Sequence, residues 1–291
     1  MGSGFIDLHS HTNESDGTST PGELITLAQQ AGLDALSITD HDTFEGYEKA
    51  LPYAREAGLE LVRGIELNTR LEGSNGKQVR YMHLLAYFPV SEPTKEFQDW
   101  LREQRDERRS RNEKLAASLR EHGVDIRLEE VVARGRSLAG RPHFARILVE
   151  KGYAASIEDA FNRYLGEEAP SYVQRESKTA EEAIAMVRAG RGIPVIAHPV
   201  RLGLSRDQER EVFAGLKQDG ALGLEVYHSE HPARLQAQYV QLAKDLDLLP
   251  TGGSDFHGSV KPNIELGSGL YGNVRVPREF LDGLRTYGSY N

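Results

Sequence analysis

The apolar and polar positions of this chain repeat one pattern, a short apolar run that ends beside a histidine or a carboxylate. It reads FIDLHSH at residues 5–11, ALSITDHD at 35–42, LVRGIELN at 61–68 and YMHLLAYF at 81–88. It returns as IPVIAHP at 193–199, LEVYH at 224–228 and LLPTGGSDFH at 248–257. Short apolar runs bounded by turn formers predict strands, here at 5–9, 35–39, 61–67, 81–88, 194–197, 223–227 and 248–252. Helical spacing fills the gaps. Pro21 suits a first helical turn, Leu24, Leu27 and Ala28 share a face, and Gly32 ends that helix. A second helix over 47–57 must start late or kink at Pro52. The Asn75-Gly76 pair makes strands 61–67 and 81–88 a candidate hairpin.

The rhythm breaks after Pro89 and Pro93. A charged helix is predicted over 96–122, with Leu101, Leu115 and Leu119 among its apolar anchors, then shorter helices at 127–134, 142–151 and 156–165. Pro142 suits an N1 position and Ser156 an N-cap. Alternation resumes with a helix at 180–189. The domain reading is a barrel of residues 1–92 and 178–291, interrupted by a helical insertion at 93–177 that serves as a substrate cap.

Composition narrows the chemistry. A chain of 291 residues can bury the core of one barrel with an insertion. It has no cysteine, so disulfides, thiolate metal sites and thiol catalysis are excluded. A net charge of −9 argues against coating of duplex DNA. Residues 101–150 nevertheless hold twelve Lys/Arg against nine Asp/Glu. No stretch is long and apolar enough to span a membrane, and the N-terminus lacks the pattern of a signal peptide. A cytoplasmic protein is the expectation.

Imidazole and carboxylate are ligands for zinc, manganese and iron. His9 and His11 stand at i, i+2, which on a strand puts both on one face. Asp255 and His257 repeat that spacing, and Asp16 lies in a loop. Glu66 follows an apolar stretch, where a buried carboxylate needs partners and a bridging position between cations would supply them. His41, His83 and His198 complete the row. Each alone has an ordinary structural reading. Their recurrence at successive strand ends points to a multinuclear metal site on one barrel face, where β/α enzymes place their chemistry.

DLHSH with a following SDG, then TDHD, AHP and GSDFH, with Glu66 and His83 between them, resemble the four motifs of the PHP (polymerase and histidinol phosphatase) superfamily. The resemblance implies an α/β fold, a distorted (β/α)7 barrel, with two or three divalent ions at its C-terminal face. Manganese is expected, with iron or zinc as alternatives. It implies one ion on His9, His11, Glu66 and Asp255, a second on Glu66, His83 and His198, and a third on Asp16, His41 and His257. Many members carry histidine where Asp16 stands. The insertion and its HFAR stretch at 143–146 are similar to the nucleoside 3′,5′-bisphosphate phosphatase group, which includes 5′-to-3′ exonucleases of short RNA. The implied reaction is removal of the 3′-phosphate of pAp, or release of 5′-nucleotides from short oligonucleotides.

A metal-activated hydroxide would then be the nucleophile, with no serine or threonine required. The catalytic set is Asp255, His257 and Asp40. The last is either an orienting partner for an imidazole or a plain loop carboxylate. Arg141, His143 and Arg201 are the expected phosphate contacts, since arginine offers a planar fork and a helix start favours anions. Arg108, Arg111 and Lys178 are weaker candidates, and His228 and His231 read as rim residues. Two rivals remain: a phosphatase of another small ester such as histidinol phosphate, and a metal-stabilised binding module without turnover.

Overall fold

The computed structural model describes residues 4–72, 79–135, 139–166, 168–174 and 178–290. Its strands and helices alternate at first: β1 (Phe5–Asp7), α1 (Pro21–Gln30), β2 (Ala35–Ile38), α2 (Glu45–Ala57), β3 (Glu60–Glu72) and β4 (Val79–Phe88). Helices follow as α3 (Lys95–Glu121), α4 (Leu128–Gly135), α5 (Arg141–Glu150) and α6 (Ile157–Ala160), the last running into a π-helical turn at Phe161–Leu165. Alternation then returns as α7 (Ala180–Ala189), β5 (Ile193–Ile196), α8 (Arg206–Gln218), β6 (Gly223–Tyr227), α9 (Ala233–Asp245) and β7 (Leu249–Gly252). A small hairpin of β8 (Ile264–Glu265) and β9 (Gly269–Leu270), strand β10 (Val276–Pro277) and α10 (Glu279–Tyr290) end the chain.

Two compact units result, Met1–Asp99 with Ser177–Asn291, and Trp100–Glu176. The first is the barrel. Its sheet runs β10-β1-β2-β3-β4-β5-β6-β7. The two ends meet because residues beyond β1 pair with residues beyond β7. The Leu8 amide donates to Gly252 O (3.1 Å), that of Asp255 to His9 O (2.8 Å) and that of His11 to Phe256 O (2.9 Å). Gly253 makes this approach possible, since a Cβ there would stand 2.3 Å from the His9 nitrogen. Apolar side chains from these strands, among them Ile6, Leu8, Leu85, Val195 and Val276, form the barrel core with Leu281 and Leu284 of α10.

Two strands depart from the parallel pattern, β10, which is antiparallel to β1, and β4. β4 is antiparallel to both β3 and β5, with register Glu66↔Leu85 and Asn68↔His83. The hairpin expected from Asn75-Gly76 agrees with this pairing, although that turn itself lies outside the described residues. α2 begins at Glu45 and carries Pro52 inside it, so it neither starts late nor breaks there. Thr20 and Thr179 cap α1 and α7 with reciprocal Glu23 and Glu182 contacts, which fix where those helices start.

The second unit has its own core of Leu115, Leu119, Ile126, Phe144, Ile147 and Leu148, with Leu165 from the π turn. Ser156 caps α6 through the Asp159 amide. No helix among the described residues is long and apolar enough to cross a membrane.

Candidate metal centre

The ligand row does not sit uniformly at strand ends. Glu66 lies midway along β3, which runs on to Glu72, and His83 lies in the first half of β4. The reason is direction: a reversed strand reaches the C-terminal face of its neighbours with its beginning. The apolar run reads the same in both directions, so only the Asn75-Gly76 hairpin signal pointed to that reversal.

Glu66 is the centre of the arrangement, 1% exposed. Its Oε1 stands 2.8 Å from both His83 Nδ1 and His198 Nε2. Its Oε2 stands 3.1 Å from His11 Nε2 and 3.4 Å from both His9 Nε2 and His41 Nδ1. Asp255 Oδ1 is 3.5 Å from His9 Nε2 and 3.4 Å from His11 Nε2. Asp16 reaches His11 Nδ1 and His257 Nε2 at 3.4 Å, and His41 Nε2 at 3.6 Å. All nine residues expected as ligands therefore converge in one cluster.

The donor atoms fit metal ions. The Nε2 atoms of His9 and His11 are buried without a hydrogen-bond partner, a costly state that an ion would relieve. Ligand atoms about 2.0–2.1 Å from a tetrahedral ion stand about 3.4 Å apart, close to the 3.1–3.5 Å spacing of the His9, His11, Glu66 and Asp255 atoms. Burial drives His41 down to about 4 and His198 to about 3, which keeps both imidazoles neutral and able to ligate. Burial opposes the charge of Glu66, yet the imidazoles of His83, His41 and His9 hold it well below the usual carboxylate range.

Several residues outside the expected set support the cluster. Glu225, fully buried on β6, accepts from His9 Nδ1 at 2.8 Å and from the His198 amide at 2.6 Å. Its first contact leaves the His9 Nε2 lone pair facing Glu66 and Asp255. Its second holds His198 at φ 23°, in the left-handed region that a histidine otherwise avoids. Asp7 receives the amides of His9 (3.1 Å), Ser254 (3.0 Å) and Gly267 (2.8 Å), and so ties the ends of β1 and β7 together. His228 is not on the rim. It is fully buried, with Nε2 3.3 Å from Asp255 Oδ2. His231 is buried as well, its Nδ1 3.0 Å from Val226 O. Only the short run LEVYH marked Glu225 and His228, and nothing in it separates a ligand from a residue behind one.

The carboxylate of Asp40 is spent locally. Oδ1 accepts from the Thr12 amide (2.8 Å) and Ser15 Oγ (2.5 Å), and Oδ2 accepts from Thr12 Oγ1 (2.6 Å). It shapes the loop between His11 and Asp16, with Ser15 Oγ 3.5 Å from His11 Nδ1. Among the expected phosphate contacts, Arg201 donates to Asp255 Oδ2 (2.8 Å) and binds Glu230. Lys261 Nζ reaches the same Asp255 oxygen at 2.6 Å. In the helical unit, Arg141 opens α5 and donates to Leu165 O (3.4 Å), while His143 is buried and its Nδ1 accepts the Gly140 amide (3.2 Å).

A β/α barrel that gathers imidazoles and carboxylates around a shared glutamate defines a metal-dependent hydrolase, and the comparisons give it a family. The PHP domain model matches residues 7–166, and the chain belongs to that family. It is 31% identical over 252 residues to a 5′-3′ exoribonuclease of Haemophilus influenzae, covering 86% of this chain and 89% of that one. It is 28% identical over 264 residues to a 3′,5′-nucleoside bisphosphate phosphatase of Chromobacterium violaceum, covering 90% of each. A Bifidobacterium adolescentis structure described as a metal-dependent phosphoesterase superposes with a TM-score of 0.77 at 31% identity, covering 97% and 95% of the two chains. The protein is a PHP-family enzyme that hydrolyses phosphoester bonds.

Proposed function

We propose that this phosphoesterase removes the 3′-phosphate from nucleoside 3′,5′-bisphosphates such as pAp and releases nucleotides from short 5′-phosphorylated oligonucleotides. The observation that carries a multinuclear reading is the division of Glu66, one oxygen facing His83 and His198, the other facing His9, His11 and His41. The nucleotide substrate is supported by relatives named for an exoribonuclease and a bisphosphate phosphatase.

In this reading His9, His11, Glu66 and Asp255 hold one ion, Glu66, His83 and His198 a second, and Asp16, His41 and His257 a third. Manganese is the first choice, with iron or zinc as alternatives. Such ions lower the pKa of bound water to about 7 and neutralise phosphate charge. Asp255 and His257 act as ligands at the reacting phosphate, and Asp40 as the residue that positions the loop carrying Asp16. Arg201, which binds Asp255, is the proposed phosphate contact of the barrel unit, and Arg141 that of the helical unit. His143, which caps the start of α5, fixes the helix that presents Arg141. The insertion at 93–177 is proposed as the substrate-binding cap.

Product analysis tests the reading. The metal-reconstituted protein is offered pAp, a 5′-phosphorylated trinucleotide and histidinol phosphate, with a chelated control. Metal-dependent release of phosphate from pAp or of nucleotides from the trinucleotide is expected. Turnover of histidinol phosphate alone would sink the nucleotide reading, and full metal loading with no turnover would make the protein a binding module. Arg201→Ala and Arg141→Ala should each raise KM for pAp. An unchanged KM in both removes them from phosphate binding.

A further inference from the structure

Among the described residues Tyr271 is 90% exposed, far beyond the next large apolar side chains, Tyr53 and Val79, at 52% each. It also sits where a tyrosine is unfavourable. The turn from Leu270 to Asn273 is closed by the Asn273 amide donating to Leu270 O (3.2 Å), and both central residues have positive φ, Tyr271 at 54° and Gly272 at 75°. Turns with two such residues favour Asn, Asp or Gly at the first position, because a larger side chain clashes with its own backbone there. A buried ring could offset that strain through packing. This one is in water, so nothing within the fold repays it, and backbone strain of this kind gathers where a residue serves a ligand.

The turn is held firmly, and on the metal-bearing side of the barrel. β10 runs antiparallel to β1, pairing Val276 with Ile6 and Pro277 with Phe5. The chain just before β10 therefore lies toward the end of β1 that leads into His9 and His11. Asn273 fastens it there. Its Oδ1 accepts the Leu270 amide (2.9 Å), its Nδ2 donates to Ser229 O (2.8 Å), and its carbonyl accepts from Gln236 Nε2 (2.8 Å). Ser229 follows His228, whose ring touches the Asp255 carboxylate. Tyr271 lies two positions before this anchor, a reach of about 7 Å.

We propose that Tyr271 is a stacking platform on the rim of the metal centre for a nucleobase of the substrate strand. A flat aromatic face suits any base, so the contact gives affinity for nucleic acid without sequence preference. A rigid turn is the right mount, since it avoids the entropy cost of ordering a loose ring. The inference rests on the nucleotide reading of the preceding subsection.

The test separates the two. Binding of a short single-stranded oligonucleotide containing 2-aminopurine, whose fluorescence is quenched by stacking, needs no turnover. Quenching is expected in the wild type and in Tyr271→Trp, and its loss in Tyr271→Ala. In turnover, Tyr271→Ala should raise KM for a 5′-phosphorylated trinucleotide about tenfold. The ratio of KM between an abasic trinucleotide and the normal one should then fall toward unity, with Tyr271→Phe restoring it. Equal quenching in wild type and Tyr271→Ala overturns the proposal, as does an equal rise in KM for normal and abasic substrates. Dissociation of a homodimer by Tyr271→Ala with unchanged quenching also overturns it and makes the ring a subunit contact. Quenching without hydrolysis of pAp or oligonucleotide would leave the platform standing and sink the assigned reaction.

Discussion

Asp255 divides its two oxygens as Glu66 does, but between different neighbours. Oδ1 faces His9, His11 and His257, whereas Oδ2 meets Arg201, Lys261 and His228. A single carboxylate thus joins the proposed metal ligands to a cationic group suited to phosphate. Glu225 controls the other side by aiming His9 and clamping the His198 backbone. Although burial opposes its charge, His9 and His228 bring Glu225 down to about 2, so it stays ionised. Glu225→Gln keeps the size but loses the charge and one acceptor. Metal affinity should fall about 10- to 100-fold, as for other partners of ligand histidines, with the helical content unchanged. Metal content after dialysis, measured together with circular dichroism, decides this, and full retention of metal would remove Glu225 from that role. Protons compete for the same donors. Burial works against the charge of His11, yet the facing carboxylates of Asp255 and Glu66 and the charge of Asp16 raise it to about 9 from 6.5. A raised histidine stabilises the chelated protein fully below its unfolded value near 6.5, and that contribution is lost as pH rises through about 9. The size is on the order of 3 kcal/mol. Thermal melts of the chelated protein should therefore fall between pH 6.5 and 9, and metal loading should flatten the profile. A flat chelated profile would show that His11 holds no extra proton.

β1 and β7 show what the elements contribute. Neither is long, and their described ladders end before the residues that matter, yet backbone bonds of Asp255 to His9 and of His11 to Phe256 continue the pairing and bring two ligand pairs face to face. Gly253→Ala would place a methyl group against the His9 backbone and Asp7 Oδ1. Overpacking of this kind costs about 1–3 kcal/mol, and here it falls on the closure of the barrel. The expected result is a lower urea midpoint, together with weaker metal retention because His9 moves. Unchanged stability would mean the closure is more compliant than its distances imply. Much of this level was legible in the chain. The strand at 223–227 and the helix at 180–189 match β6 and α7, and Ser156 does cap α6. The His9 and His11 pair was legible as well, since alternation needs only extended backbone. The direction of β4 was legible from the Asn75-Gly76 hairpin signal and not from its apolar run. Grouping His83 with the strand ends left that signal unused, since His83 stands near a strand beginning. Glu225 and Asp7 were missed for another reason. Their roles depend on neighbours 216 and 247 residues away, on His9 and Ser254, which no local spacing can report. Asp40 shows the reverse case, a carboxylate in the right motif whose oxygens go to Thr12 and Ser15.

At the scale of the whole molecule, two cores rest on different supports. The barrel unit concentrates buried charge at one face, where Glu66, Asp255 and Glu225 sit among imidazoles within an apolar shell. Removing cations from such a site leaves carboxylates and orphaned ring nitrogens to be satisfied by protons or water, which costs stability wherever those residues also hold strands together. The unit at Trp100–Glu176 has an aliphatic and aromatic core centred on Leu119, Phe144 and Leu148. None of the clusters able to hold a metal among the described residues falls within it. Stability is local when cores are separate, so chelation should act unevenly. Hydrogen exchange followed by mass spectrometry is the direct readout. After metal removal, peptides spanning 5–12, 60–72 and 249–257 should lose protection by about one to two orders of magnitude, on the scale of ligand linkage at 10- to 100-fold excess over Kd. Peptides spanning 115–130 and 141–165 should exchange as before. A uniform rise across both sets would mean that the two units unfold as one and that the metal centre stabilises the entire chain. No change in either would mean that the protein side chains satisfy one another without ions, and the metal assignment built on Glu66 would have to be given up.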